Sequence, residues 1–229
     1  PSQFTQISRN PARNVTIGLP AGTMTVAQAY TAAVLALLVG LFMLYSINVL
    51  SAFFGGLSAF LYAVIYTPLK SRTSLAVFVG AFPGAIPYML GWVAARNDFD
   101  IETGTLFAQQ FFWQFPHFWA IAWFSFEDYK RAGYNLLPSG AKDRPSQLYV
   151  IIYTIWMIIV GILPVFGITG ELTLSYTGAA LVLLLGLWVL SNGMKLLKSG
   201  DDKVARKLML SSIGYLTGMQ LIYVIDRFI

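Results

Sequence analysis

The chain is 229 residues long, 57% hydrophobic and only 11% charged, with 15 Lys and Arg against 10 Asp and Glu, a single histidine and no cysteine. Ordinary soluble domains carry about 25% charged residues, so this composition places the chain in a lipid bilayer, and the missing cysteines exclude disulfides, thiolate nucleophiles and cysteine metal sites. A net charge of +5 would point to nucleic acid only as a basic face on a soluble domain; topology explains it better, and no nucleic-acid partner is expected.

The sequence opens on Pro1 and a polar segment that holds Arg9 and Arg13. A spanning helix needs about 20 mostly apolar residues to cross ~30 Å of hydrocarbon. Seven stretches qualify, at 27–47, 50–66, 75–95, 105–126, 147–167, 173–193 and 208–225. They are continuously apolar rather than alternating, which disfavours a β-barrel and predicts an all-α, polytopic membrane helical bundle with seven transmembrane helices. With successive connections on alternate sides, all of the 15 Lys and Arg except Arg96 and Arg227 fall on one side. That is the positive-inside asymmetry. It predicts a cytoplasmic N-terminal segment and cytoplasmic basic loops at 127–146 and 194–207, the side where chemistry is expected.

Between the second and third spans lies YTPLKSRTS, residues 66–74. Tyr66 and Lys70 are four apart and share a helical face, with Arg72 beside them. Lys and Arg at an interface can bind a diphosphate; the plainer reading is positive-inside charge with a snorkelling lysine. The third span, LAVFVGAFPGAIPYMLGW at 75–92, carries Gly80, Pro83, Gly84, Pro87 and Gly91. So many breakers imply either a helix packed closely on a neighbour or one that lines a cavity.

The fourth span contains FFWQFPHFWAIAWF, with the lone His117. Gln110, Gln114 and His117 follow an i, i+4, i+7 pattern, which predicts one polar stripe facing inward, and Pro116 predicts a kink. His117 reads either as a hydrogen-bonded interhelical contact or as a substrate contact. About 11 residues on, at roughly 16 Å if the helix continues, stand Glu127 and Asp128, followed by Tyr129 and Lys130. A carboxylate there could hold Mg²⁺, which takes one or two carboxylates plus substrate phosphates, or it could simply be a solvated helix end. There is no Gly-rich nucleotide loop, no Ser/His/Asp set and no histidine cluster.

Four stretches in order, YTPLKSRT at 66–73, GAFPGAIPYMLGW at 80–92, WQFPHFWAI at 113–121 and DYKRAGYNLLP at 128–138, resemble the UbiA superfamily of intramembrane prenyltransferases, and within it the heme o synthase branch. The resemblance implies one UbiA-type domain over 1–229 and the transfer of a farnesyl group from farnesyl diphosphate to a vinyl group of heme b, giving heme o. It implies Mg²⁺ as cofactor and a bacterial inner-membrane location. Heme a synthase or other oxidase-assembly proteins are the candidate partners beside the two substrates and the lipid. By resemblance, Asp128 is the metal ligand and, with Tyr66 and Lys70, catalytic. Arg72, Arg9 and Arg13 contact the anion, Tyr129 and Lys130 are further substrate-binding residues, and His117 with Gln114 lies on the heme side.

The chain departs from the family pattern in places. Members have about nine spans and an N-x-x-x-D-x-x-x-D motif after the second, which this sequence lacks, so the expectation is a domain truncated by two N-terminal helices and by its main Mg²⁺ carboxylates. Tyr88 stands where a second proline is usual. The competing readings are a UbiA-type enzyme acting on an aromatic quinone precursor, a transporter, and an inactive fragment. The first usually carries D-x-x-x-D where this chain has Asp128 and Ala132. The second predicts inverted repeats, and none is evident.

Overall fold

The computed structural model describes residues 24–228, so Arg9 and Arg13 lie outside the described residues. The fold is a bundle of helices: α1 (Val26–Ile47), α2 (Val49–Phe60) running through a π-turn (Leu61–Tyr66) into α3 (Thr67–Leu69), α4 (Leu75–Arg96), α5 (Ile101–Phe124), the short α6 (Phe126–Arg131), α7 (Arg144–Ile162) ending in a 3₁₀ turn (Leu163–Phe166), α8 (Tyr176–Ser199) and α9 (Asp202–Asp226). All seven expected spans are helices. Six of them are long and apolar enough to cross a membrane. The remaining one, α5, has 24 residues and spanning length, but its buried face mixes Glu102, Thr103, Thr105, Gln109 and Gln114 with aromatic side chains, and it is the helix most enclosed by others.

The helix ends are written in the sequence. Thr25 and Gln28 form a capping box at the start of α1. Asn48, the single residue between α1 and α2, accepts from the Ser51 amide at 2.7 Å and donates to the Val93 and Ala94 carbonyls at 3.1 and 3.2 Å. It therefore caps one helix and ties down the carboxyl end of another, where Val93 O also accepts the Asn97 amide and Ala94 O is among the last carbonyls that a helix leaves without a backbone partner. Asp143 caps α7, and the Ser139 hydroxyl and Ser146 amide that donate to it hold its carboxyl below the usual range.

α5 packs against α4, α7 and α9, with α8 closing on α7 and α9, while α2 bridges α1 and α4. The core is built around α5, where Phe111, Trp113, Phe115, Trp119 and Trp123 are buried. α1 buries no residue at all.

The two ends of the bundle are tied separately. At the basic end Lys142 pairs with Asp202 at 2.6 Å, the Trp123 indole donates to Gly200 O, and Ser74 donates to Pro138 O. At the other end Arg96 pairs with Glu171 at 2.8 Å and the Glu171 amide donates to Glu102. There too Asp100 caps α5. Partial burial pushes its carboxyl pKa up, but hydrogen bonds from the Thr103 amide and hydroxyl and the Trp92 indole outweigh this and hold it down at about 2. These ties put 70–74, 132–143 and 199–202 together, as the charge asymmetry requires.

Candidate functional site

Proline chemistry shapes the cavity wall. Pro68 has no N–H and its ring collides with the carbonyl four residues back, so the turn before it widens, and the Thr67 amide reaches the Tyr62 carbonyl five residues back. Such π-turns recur at functional sites. This one brings the Tyr62 and Tyr66 rings together, tilted by 36° with centroids 5.2 Å apart. On α4, Pro87 likewise leaves the Pro83 carbonyl without its helical donor, and the Ser58 hydroxyl of α2 donates to it at 3.0 Å.

Gly80 and Gly84 lie one turn apart on the wall that α4 turns to the cavity. A Cβ at Gly80 would sit 2.7 Å from the Tyr66 ring, and one at Gly84 would sit 2.1 Å from Gln114 Oε1. Both readings of the glycine-rich span therefore hold: the glycines admit two neighbouring side chains, and all four residues line one cavity.

That cavity has a volume of about 730 Å³, within the roughly 300–1,000 Å³ typical of small-molecule sites. Its walls come from α2, the π-turn, α4, α5, α6 and the 132–137 loop, and Lys70 is the one charged residue among the described residues that line it. The Lys70 ammonium lies 5.9 Å from the Tyr66 ring centroid and 5.8 Å from that of Tyr134, held by cation–π attraction. Tyr62 and Tyr129 complete a tyrosine-lined mouth at the basic end, and below it the wall is mostly apolar. The arrangement suits an amphiphile with an anionic head at Lys70 and a hydrocarbon tail between α2, α4 and α5.

The sequence-predicted residues divide. Tyr66, Lys70, Gln114 and Tyr129 come together in the cavity. Arg72 is exposed on the same loop, and Lys130 is exposed with its ammonium 5.9 Å from the Phe126 ring centroid. Asp128 is half exposed and pairs with Arg131 at 2.5 Å. The helix does not continue to Asp128: it ends at Ser125, where α5 gives way to α6. The helix itself runs unbroken through Pro116.

The predicted polar stripe splits into two. Gln114 turns toward α4, donating to Ala81 O at 3.0 Å. His117 turns toward α9, with Nδ1 2.9 Å from Ser212 Oγ and its ring stacked on Trp113 at 4.7 Å. The Ser212 hydroxyl lies within hydrogen-bond reach of both Met209 O and His117 Nδ1, and Nε2 is the ring nitrogen that this contact does not engage. Residues three apart on a helix are about 60° apart around it, enough to reach different neighbours when one lies on each flank. Sequence reasoning missed Tyr62 and Tyr134; the first was signalled by its i, i+4 spacing to Tyr66, the second by its place directly after the A-G of the 128–138 motif.

Among the described residues no three His, Cys, Asp or Glu converge, so these side chains form no all-protein cage for Mg²⁺; Asp128, the carboxylate expected to bind it, sits in an exposed pair with Arg131 through one oxygen.

Residues 8–213 match the UbiA prenyltransferase family. The chain belongs to that family. Among curated relatives, the protoheme IX farnesyltransferase of Flavobacterium psychrophilum is 54% identical over 211 residues, covering 92% of this chain and 70% of the relative. That of Christiangramia forsetii is 53% identical over 211 residues with the same coverage, and that of Flavobacterium johnsoniae 54% identical over 208 residues, covering 91% and 69%. No solved structure matches the chain at a significant level. Membership of a prenyltransferase family agrees with a cavity that is apolar in its depth and cationic at its mouth.

Proposed function

We propose that this UbiA-family enzyme transfers the farnesyl group of farnesyl diphosphate to a vinyl group of heme b, giving heme o. The observation that carries the reading is the similarity to protoheme IX farnesyltransferases at 53–54% identity over nine tenths of the chain. The diphosphate lies at the cavity mouth against Lys70, with the Tyr62, Tyr66, Tyr129 and Tyr134 hydroxyls as neighbouring donors. The farnesyl tail runs down between Ala59, Val77, Ala81 and Phe118. The C1–O bond breaks with its electron pair leaving on the diphosphate, whose charge Lys70 offsets. The heme vinyl π electrons form the new C–C bond, and the cation left on the former vinyl carbon takes up water and loses a proton. Apolar walls keep stray water from quenching the allylic cation. His117 Nε2 is the nitrogen available toward heme, on the α9 side of α5. By the positive-inside rule the basic end is cytoplasmic, and the membrane is the bacterial inner membrane.

Membranes containing the full-length protein, supplied with heme b and farnesyl diphosphate, are expected to yield heme o by mass spectrometry. Absence of any farnesylated heme, with Mg²⁺ present, would remove this reading.

A further inference from the structure

Gln114 is 4% exposed and sits in the wall of an otherwise largely apolar cavity. Its amide is not free to turn over. Nε2 lies 3.0 Å from Ala81 O and 3.2 Å from Gln110 O, and two carbonyls can be satisfied only by the NH₂ group, which has two hydrogens to give. The oxygen must therefore point the other way, over Gly84, where the missing side chain leaves it room. Among the described residues no donor bonds that oxygen. Its orientation is fixed by two separate backbone groups.

Its depth in the cavity follows from α4. Gly80 faces Tyr66 and Gly84 faces Gln114, and four residues of helix rise about 6 Å. Gln114 Oε1 is thus one helical turn below the Tyr66 ring, which itself neighbours Lys70. An amphiphile whose head is anchored at Lys70 places its first isoprene unit, not its diphosphate, at this level.

We propose that Gln114 Oε1 is a catalytic residue of the donor half-reaction: a preorganised carbonyl dipole whose negative end faces the allylic cation formed as the C1–O bond breaks. The charge of that cation is shared between C1 and C3, and a dipole already aimed at developing charge needs no reorganisation at the moment of reaction. The inference rests on the prenyl-transfer reading but not on the acceptor, because ionisation precedes attack by any acceptor.

The test is Gln114→Met, which keeps length and volume and removes the dipole, beside Gly84→Ala, which displaces Oε1 and leaves Gln114 intact, and Gly91→Ala, whose Cβ would meet nothing within 4 Å, as control. Release of diphosphate is followed with whichever acceptor the wild type prenylates, so that a wrong acceptor overturns the function reading alone. The expected result is a fall in kcat of about 100-fold for Gln114→Met, the size seen when one preorganised transition-state dipole is lost, a smaller fall for Gly84→Ala, and none for Gly91→Ala. The KM for farnesyl diphosphate and the inhibition constant of its S-thiolo analogue, which binds without ionising, are expected to stay unchanged. Full kcat in Gln114→Met, or equal losses in kcat and in analogue binding, would overturn the proposal.

Discussion

Gly80→Ala separates cavity geometry from stability. The new methyl would lie 2.7 and 2.8 Å from Cδ2 and Cε2 of Tyr66, whereas carbon atoms rest at about 3.5–4.0 Å, so the ring must retreat by about 1 Å. It has little freedom to do so, being packed at a tilt against Tyr62 and faced by Lys70. Overpacking of this kind costs about 1–3 kcal/mol, while replacing glycine in a helix interior returns about 1 kcal/mol. The net loss of stability is then about 0–2 kcal/mol. Displacement of a substrate-facing group by about 1 Å costs on the order of 100-fold in rate. Thermal unfolding in detergent and heme farnesylation by membranes, measured on the same preparations, should show a modest shift in the first and a large loss in the second. Wild-type turnover in Gly80→Ala would refute the reasoning, since it would mean that the position of Tyr66 does not matter to the reaction.

Other outcomes follow from the same geometry. Asp128→Ala breaks a solvent-exposed pair with Arg131 worth about 0–1 kcal/mol, so thermal stability should hold; abolished turnover then assigns the carboxylate to chemistry, and normal turnover removes it from the site. His117→Asn lies outside the cavity walls and is expected to raise the KM for heme b while leaving that for farnesyl diphosphate unchanged, in steady-state assays varying each substrate. Asp100 is held at about 2 in the fold against about 3.9 in the unfolded chain. A depressed carboxylate stabilises above its unfolded value and loses that contribution as pH falls through the folded one, so thermal stability should drop between about pH 4 and pH 2, and Asp100→Asn should flatten that drop.

Much of the bundle is legible in the sequence because apolar runs of spanning length have few alternatives, and because Arg96 and Arg227 are so isolated on their side. The site was harder to read. Tyr66 and Lys70 share a face by simple spacing, but Gly80 and Gly84 acquire meaning only when Tyr66 and Gln114 arrive from other helices to fill the notches. The Gln114 and His117 stripe looked single because a helical wheel shows angles, not neighbours; α4 on one flank and α9 on the other divide it. Asp128 could not be placed from spacing, since Ser125 leaves helical geometry before it and a new helix begins there.

The π-turn before Pro68 acts as a phase adjustment. One residue more in a turn advances every side chain after it by roughly 100° about the axis, so Lys70 and the loop to Thr73 take their bearing from the register of Leu61–Tyr66 rather than from α2 as a whole. The anionic head of a ligand and the hydrocarbon grip on its tail are thus keyed to different halves of one helix, and the cavity's cationic mouth can be re-aimed by changing the residue count of that turn without altering any residue that lines it.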